Sequence, residues 1–180
     1  DKRVVDNLTP KMVDGRLLAP DIARIVTRGE LIVAVLGEDR PPFLFQRAGV
    51  FVGLEADIVN EIANALKVKV KFERSATTFN QVVDVVAHQK ADLGISKLSR
   101  TLARSQMVRF SIPYLTLDHA LLLNRLAFAR MAGGKSVQQV IRDFNGTIGV
   151  IAKSSFDDFA AINFPKAEIR TYSSWPEVIN

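Results

Sequence analysis

Cysteine is absent from the 180 residues. That excludes disulfides, thiolate metal ligands and a cysteine nucleophile, and it fits an oxidising or a reducing compartment equally. Histidine is scarce: His88 and His119 are the only two. They fall in different elements, and neither has a partner at metal-ligand spacing. No apolar run approaches the ~20 residues of a membrane-crossing helix. No secretory leader is visible, and a start at Asp1 rather than Met reads as a processed or trimmed product. One Trp and two Tyr stand against 11 Phe, so the aromatics read mainly as core filler. No serine sits in a Gly-x-Ser-x-Gly elbow, which removes support for a hydrolase triad. Gly133-Gly134-Lys135-Ser136 lacks the earlier glycine of a phosphate loop and does not follow a strand. The net charge is +5, but Lys and Arg are scattered and no basic run is interleaved with aromatics. That argues against nucleic acid as a partner.

What is present is ordinary globular composition, 48% hydrophobic and 24% charged. Residues 1–28 read as a polar N-terminal extension with a short helix over 21–27. The apolar run at 31–36 is unbroken rather than alternating, which implies a strand buried on both faces, as in a parallel sheet. Pro41-Pro42 makes the next segment a loop. Residues 53–66 form an amphipathic helix with Ile58, Ile62, Ala65 and Leu66 on its apolar face. Asp57 and Glu61 share a face of it, best read as solvated. Alternation over 68–72 predicts a strand, Thr78 caps a helix bearing Val82, Val83 and Val86, and 91–95 is the next strand. This β-α-β-α-β order predicts a parallel sheet with helices on its faces. A second unit follows: a strand-like run at 117–123, a short helix from Val137, a strand at 147–151, a helix capped by Ser154 or Ser155, a strand at 168–172 and a helix opening at Ser174.

In open parallel sheets, ligands bind beyond the carboxyl ends of the strands. The polar residues following the strands are therefore the candidates: Arg40, Phe79, Ser96, Lys97, Ser99 and Arg104 in the first unit, Ser154 and Ser155 in the second. Cations and helix starts suit a carboxylate, because Arg presents a planar fork to two oxygens. A ring suits an apolar stem. No metal or cofactor is called for.

Gly29-Glu-Leu-Ile-Val-Ala-Val, Pro42-Phe43, Gly53-Leu-Glu-Ala-Asp57-Ile, Ala91-Asp-Leu-Gly-Ile-Ser, Thr101-Leu-Ala-Arg104 and Phe110-Ser-Ile-Pro-Tyr114 follow in order. With Asn145-Gly-Thr-Ile-Gly-Val, they resemble bacterial extracellular solute-binding proteins of the polar amino-acid type, the class II periplasmic binding proteins. The resemblance covers residues 29 to 180. It implies two α/β lobes, 29–118 and 119–180, each with a central, mostly parallel sheet flanked by helices. The second lobe is expected to be truncated, with the acid that pairs with the ligand amino group lying beyond Asn180. By the same resemblance, Arg104 grips the ligand carboxylate with Ser99 beside it. Ser96 and Lys97 form the strand end, Phe79 packs on the ligand stem, and Ser154 and Ser155 close from the second lobe. The implied function is non-enzymatic: periplasmic or extracytoplasmic capture of an amino acid or related carboxylate for an ABC permease in the inner membrane.

Departures from the pattern carry information. Gly37 stands where many relatives have an acid, Arg40 where some have an aromatic, Lys97 where a small residue is common and Lys153 where glycine is usual. A more cationic site implies an acidic amino acid or a dicarboxylate as ligand, unless Lys97 and Lys153 point to solvent. Two other functions share the fold. One is a ligand-sensing receptor domain. The other is an enzyme of the prephenate-dehydratase kind, for which Glu38 and Asp39 are the nearby acid or base candidates.

Overall fold

A computed structural model describes residues 9–179. The first eight residues of the expected extension, and Asn180, lie outside the described residues. Contacts divide the chain between Phe110 and Ser111 into two compact units.

The first unit opens with a small antiparallel hairpin, β1 (Lys11–Val13) and β2 (Arg16–Leu18). Helix α1 (Pro20–Arg28) follows, with proline at its first position, where the missing N–H is harmless, and Gly29 in the left-handed region at its end. Strand β3 (Glu30–Leu36) is central in a parallel sheet of order β6-β3-β7, flanked by β6 (Lys69–Ala76) and the short β7 (Leu93–Gly94). Its unbroken hydrophobicity has the cause that the sequence implies. Leu31, Val33 and Val35 join a core with Ile25, Val59 and Ala63, while Ala34 and Leu36 join a second core with Ala76, Val82 and Ala91. Val33, Ala34 and Val35 are fully buried. Each large side chain so buried contributes about 1.5–3 kcal/mol.

A hairpin of β4 (Phe45–Arg47) and β5 (Val50–Val52) precedes helix α2 (Leu54–Leu66). The buried stripe of α2 is Ala56, Val59 and Ala63, together with Glu55, rather than the expected Ile58, Ile62, Ala65 and Leu66. Ile58 and Leu66 pack at the core margin, and Ile62 is 38% exposed. Ala56 and Ala63 carry only a Cβ, which lets the helix lie close to the sheet on this face. Helix α3 (Phe79–Ala87) starts at Thr78 with a capping box: Gln81 N–H donates to the Thr78 hydroxyl, and the Gln81 side-chain oxygen accepts from Thr78 N–H. At the amino end of the sheet the Asp92 carboxylate, 4% exposed, accepts from Ile32 N–H at 2.9 Å and pairs with Arg28. Helix α4 (Leu102–Ser105) is a single turn capped by Thr101.

In the second unit, the strand-like run at 117–123 is not a strand: those residues are irregular and exposed, Leu122 by 81%. An apolar run becomes a strand only where a neighbour completes its ladder, and no described strand pairs with it. Helix α5 (Arg125–Ala132), which the sequence reading left out, begins where Asn124 Oδ1 accepts from Ala127 N–H at 3.0 Å. Helix α6 (Val137–Asp143) carries a Ser136–Gln139 capping box. Strands β8 (Thr147–Ile151) and β9 (Glu168–Tyr172) pair in parallel, connected by α7 (Ser155–Asn163), and α8 (Trp175–Ile179) follows. Their core is Ile148, Val150, Ala160 and Phe164.

Candidate functional site

In the first unit, the candidate residues gather at the carboxyl ends of β3, β6 and β7. The turn after β3 is tight. Gly37 N–H donates to Ala76 carbonyl at 2.8 Å, and a Cβ on Gly37 would lie 2.9 Å from the Arg74 carbonyl oxygen. An acid at this position would force the two strand ends apart. Arg40, next along, donates its N–H to Leu44 carbonyl at 2.7 Å. Its guanidinium carbon lies 5.2 Å from the centre of the Phe79 ring, and it pairs with Glu38. Asp39 pairs with Arg74 at 2.9 Å. The two candidate acids thus each pair with an arginine, Glu38 with Arg40 of its own loop and Asp39 with Arg74 near the end of β6.

Beyond β6, the Thr78 cap places Phe79 and Asn80 in the first turn of α3. Asn80, not singled out from the sequence, receives Arg104: its Oδ1 accepts from Arg104 Nε at 3.0 Å and Nη2 at 2.9 Å. Arg104 Nη1 donates to the Ser99 carbonyl at 3.0 Å. Arg104 is 7% exposed. Its position follows from Thr101, whose hydroxyl accepts from Arg104 N–H at 3.3 Å and starts the turn. The amide and the carbonyl are neutral acceptors. They fix the direction in which the guanidinium points.

After β7, Ser96 is 4% exposed and its hydroxyl accepts from Leu36 N–H at 3.0 Å. That contact ties the ends of β3 and β7 together. Lys97 adopts a left-handed conformation with φ 49°. Its N–H donates to the Glu55 carboxylate at 2.6 Å, and Glu55 is 2% exposed. The Lys97 ammonium does not simply project to solvent: it sits 3.9 Å from the centre of the Phe43 ring. Burial, and then repulsion from Arg40, holds its pKa below the ordinary lysine value, opposed by attraction to Glu55. Glu55 and Phe43 were also missed as site residues.

In the second unit, Ser154 caps α7. It is 7% exposed, donates to Ile151 carbonyl at 2.6 Å and accepts from Phe156 N–H at 3.3 Å. Its hydroxyl is thus turned into its own backbone. Ser155 is the first helical residue and Lys153, at φ 55°, is exposed. His119 stacks on Phe159 with ring centres 4.0 Å apart, and His88 Nδ1 lies 2.8 Å from Asp84 carbonyl at the end of α3. Among the described residues no cluster of His, Cys, Asp and Glu could hold a metal ion, and no helix is long and apolar enough to cross a membrane.

Comparison with known proteins places this geometry. Residues 31–167 match the family described as bacterial extracellular solute-binding proteins, family 3. No curated protein sequence matches. Among solved structures, an ancestral amino acid-binding protein described as a precursor of cyclohexadienyl dehydratase superposes with TM-score 0.73 at 27% identity, covering 88% of this chain and 68% of its own. An L-arginine-bound substrate-binding protein of an amino acid ABC transporter from Streptococcus pneumoniae gives 0.68 at 26%, covering 89% and 65%. A lysine complex of an ABC transporter binding component from Wolinella succinogenes gives 0.68 at 25%, covering 84% and 63%. The chain thus spans about two thirds of the length of these structures. With the parallel sheets and their flanking helices, the match over residues 31–167 shows that the chain belongs to the bacterial extracellular solute-binding proteins of family 3, on the α/β class II periplasmic-binding-protein fold.

Proposed function

We propose that this chain provides the binding surface for an amino acid or related small carboxylate, captured outside the cytoplasm and passed to an ABC permease in the inner membrane. One observation carries the reading. Arg104 is buried at the carboxyl ends of a parallel sheet and aimed by two neutral acceptors, Asn80 and the Ser99 carbonyl. A fixed guanidinium in that place suits a carboxylate. The family and the amino acid complexes of related structures support the same ligand class. In this reading, Arg104 binds the carboxylate and Phe79 flanks the ligand stem.

Binding rather than catalysis is favoured by the ion pairs of Glu38 with Arg40 and Asp39 with Arg74. Each carboxylate faces an arginine side chain, whereas a general acid or base must reach a substrate proton.

Calorimetric titration with glutamate, glutamine, aspartate and arginine tests the reading. Arg104→Ala should weaken whichever ligand binds by about 1.5–3 kcal/mol, as for a charged hydrogen-bond partner. Unchanged affinity in this variant would move the carboxylate site elsewhere. Turnover of prephenate by the wild-type chain would replace binding with catalysis.

A further inference from the structure

Two aromatic rings at the strand ends each carry a cation of the protein itself. The Arg40 guanidinium lies over Phe79 at 5.2 Å and the Lys97 ammonium over Phe43 at 3.9 Å. The two cations come from neighbouring strands: Arg40 follows β3, Lys97 follows β7, and Val33 and Ala34 pair with Leu93 and Gly94. Each cation is held from behind. Lys97 is fixed through its own N–H by the buried Glu55 carboxylate at 2.6 Å, and Arg40 by its backbone bond to Leu44. The Arg40 side chain is 20% exposed, and its Nε–H is buried with no acceptor among the described residues. Glu38, paired with Arg40, is itself 61% exposed, and an exposed ion pair is weak enough for a ligand carboxylate to replace it.

Resting on the ligand class proposed above, we propose that Arg40 and Lys97 are specificity-determining residues that select a ligand with a second carboxylate, an acidic amino acid or a small dicarboxylate, and disfavour cationic amino acids. The chemistry runs both ways. A second carboxylate would relieve the repulsion between Arg40 and Lys97 and offer an acceptor to the buried Arg40 Nε–H. A cationic side chain would add a third positive charge, and it would find both ring faces already taken by cations.

The test compares L-glutamate, L-glutamine and L-arginine, near-isosteric acid and amide with a cation, by calorimetry on the full chain. Glutamate should bind at least about tenfold more tightly than glutamine, the scale of one charge-assisted hydrogen bond. Lys97→Met and Arg40→Met should each erase most of that ratio by weakening glutamate more than glutamine, and Lys97→Arg should restore it. The nitrogen resonance of the Lys97 ammonium, followed in the wild-type chain, should shift with glutamate and stay in place with glutamine. Equal affinity for glutamate and glutamine, or tighter binding of arginine, overturns the selectivity and leaves the amino acid site intact. Failure of all three ligands to bind overturns the proposed function itself.

Discussion

The buried carboxylate of Glu55, on the first turn of α2, accepts the backbone N–H of Lys97 at 2.6 Å, across 42 positions of sequence. This contact fixes the left-handed turn after β7, from which the chain runs on to Ser99 and Arg104. Glu55→Ala removes the charged acceptor and should destabilise the first unit by about 1.5–3 kcal/mol, with Glu55→Gln intermediate because an amide oxygen still accepts. Urea unfolding of the variants measures it. Wild-type stability in Glu55→Ala would mean that the turn holds without its anchor.

Why Glu55 escaped the sequence reading is physical. At about 3.6 residues per turn Glu55 lies on the same side as Ile58, Ile62 and Leu66, but an acid in the first turn of a helix reads as an exposed end residue favoured by the helix dipole rather than as a buried anchor. The actual stripe of Ala56, Val59 and Ala63 carries it inside. Hydrophobicity alone ranks Ile above Ala, whereas close helix–sheet approach ranks by size. Asn80 was hidden differently. Nothing local distinguishes it, and its role exists only because α4 brings Arg104 to it from 24 positions away. By contrast, β3 and the Thr78 cap were legible, since an unbroken apolar run and a Thr-x-x-Gln box are local signals. The run at 117–123 misled for the converse reason: local apolarity cannot report whether a partner strand exists.

Gly53 has φ 113°, and a Cβ there would meet the Phe43 carbonyl oxygen at 2.4 Å and that of Pro42 at 2.6 Å. Those same two carbonyls accept the first N–H groups of α2, from Glu55 at 2.9 Å and Leu54 at 3.2 Å. Backbone cannot yield here without breaking the helix start. Gly53→Ala should therefore cost at least about 2 kcal/mol, combining a left-handed strain with a steric clash. A change below about 0.5 kcal/mol, the size of an ordinary surface substitution, would contradict the contact.

Ser154 and Ser155 divide their work. Ser154 uses its hydroxyl on Ile151 and Phe156, so Ser154→Ala should lower the stability of the second unit by about 1 kcal/mol, the usual worth of an N-cap. Ligand affinity extrapolated to the fully folded protein should hardly change. Binding that collapses in Ser154→Ala while the folded fraction stays constant would return Ser154 to the ligand.

Lys97 ties stability to pH. Desolvation first, then Arg40, lowers its folded-state pKa below the ordinary lysine value, with Glu55 acting the other way. The folded state therefore binds the proton less tightly than the unfolded chain does. Below the lowered pKa both states are charged, and the folded state carries the full penalty. As pH rises from that value toward the unfolded value, the folded state has lost its proton while the unfolded chain still holds one, so stability rises relative to a chain without the group. Lys97→Met removes this proton and should flatten the alkaline side. The wild type should gain on Lys97→Met between neutral pH and about 10.5, the unfolded lysine value. Urea unfolding of both proteins across that range reads the difference directly. Parallel curves would place Lys97 in water. If an acidic ligand docks on this ammonium, it favours the charged form, so glutamate binding near the lowered pKa should take up a proton. Binding enthalpies measured in buffers of different ionisation heat should then diverge with glutamate and agree with glutamine.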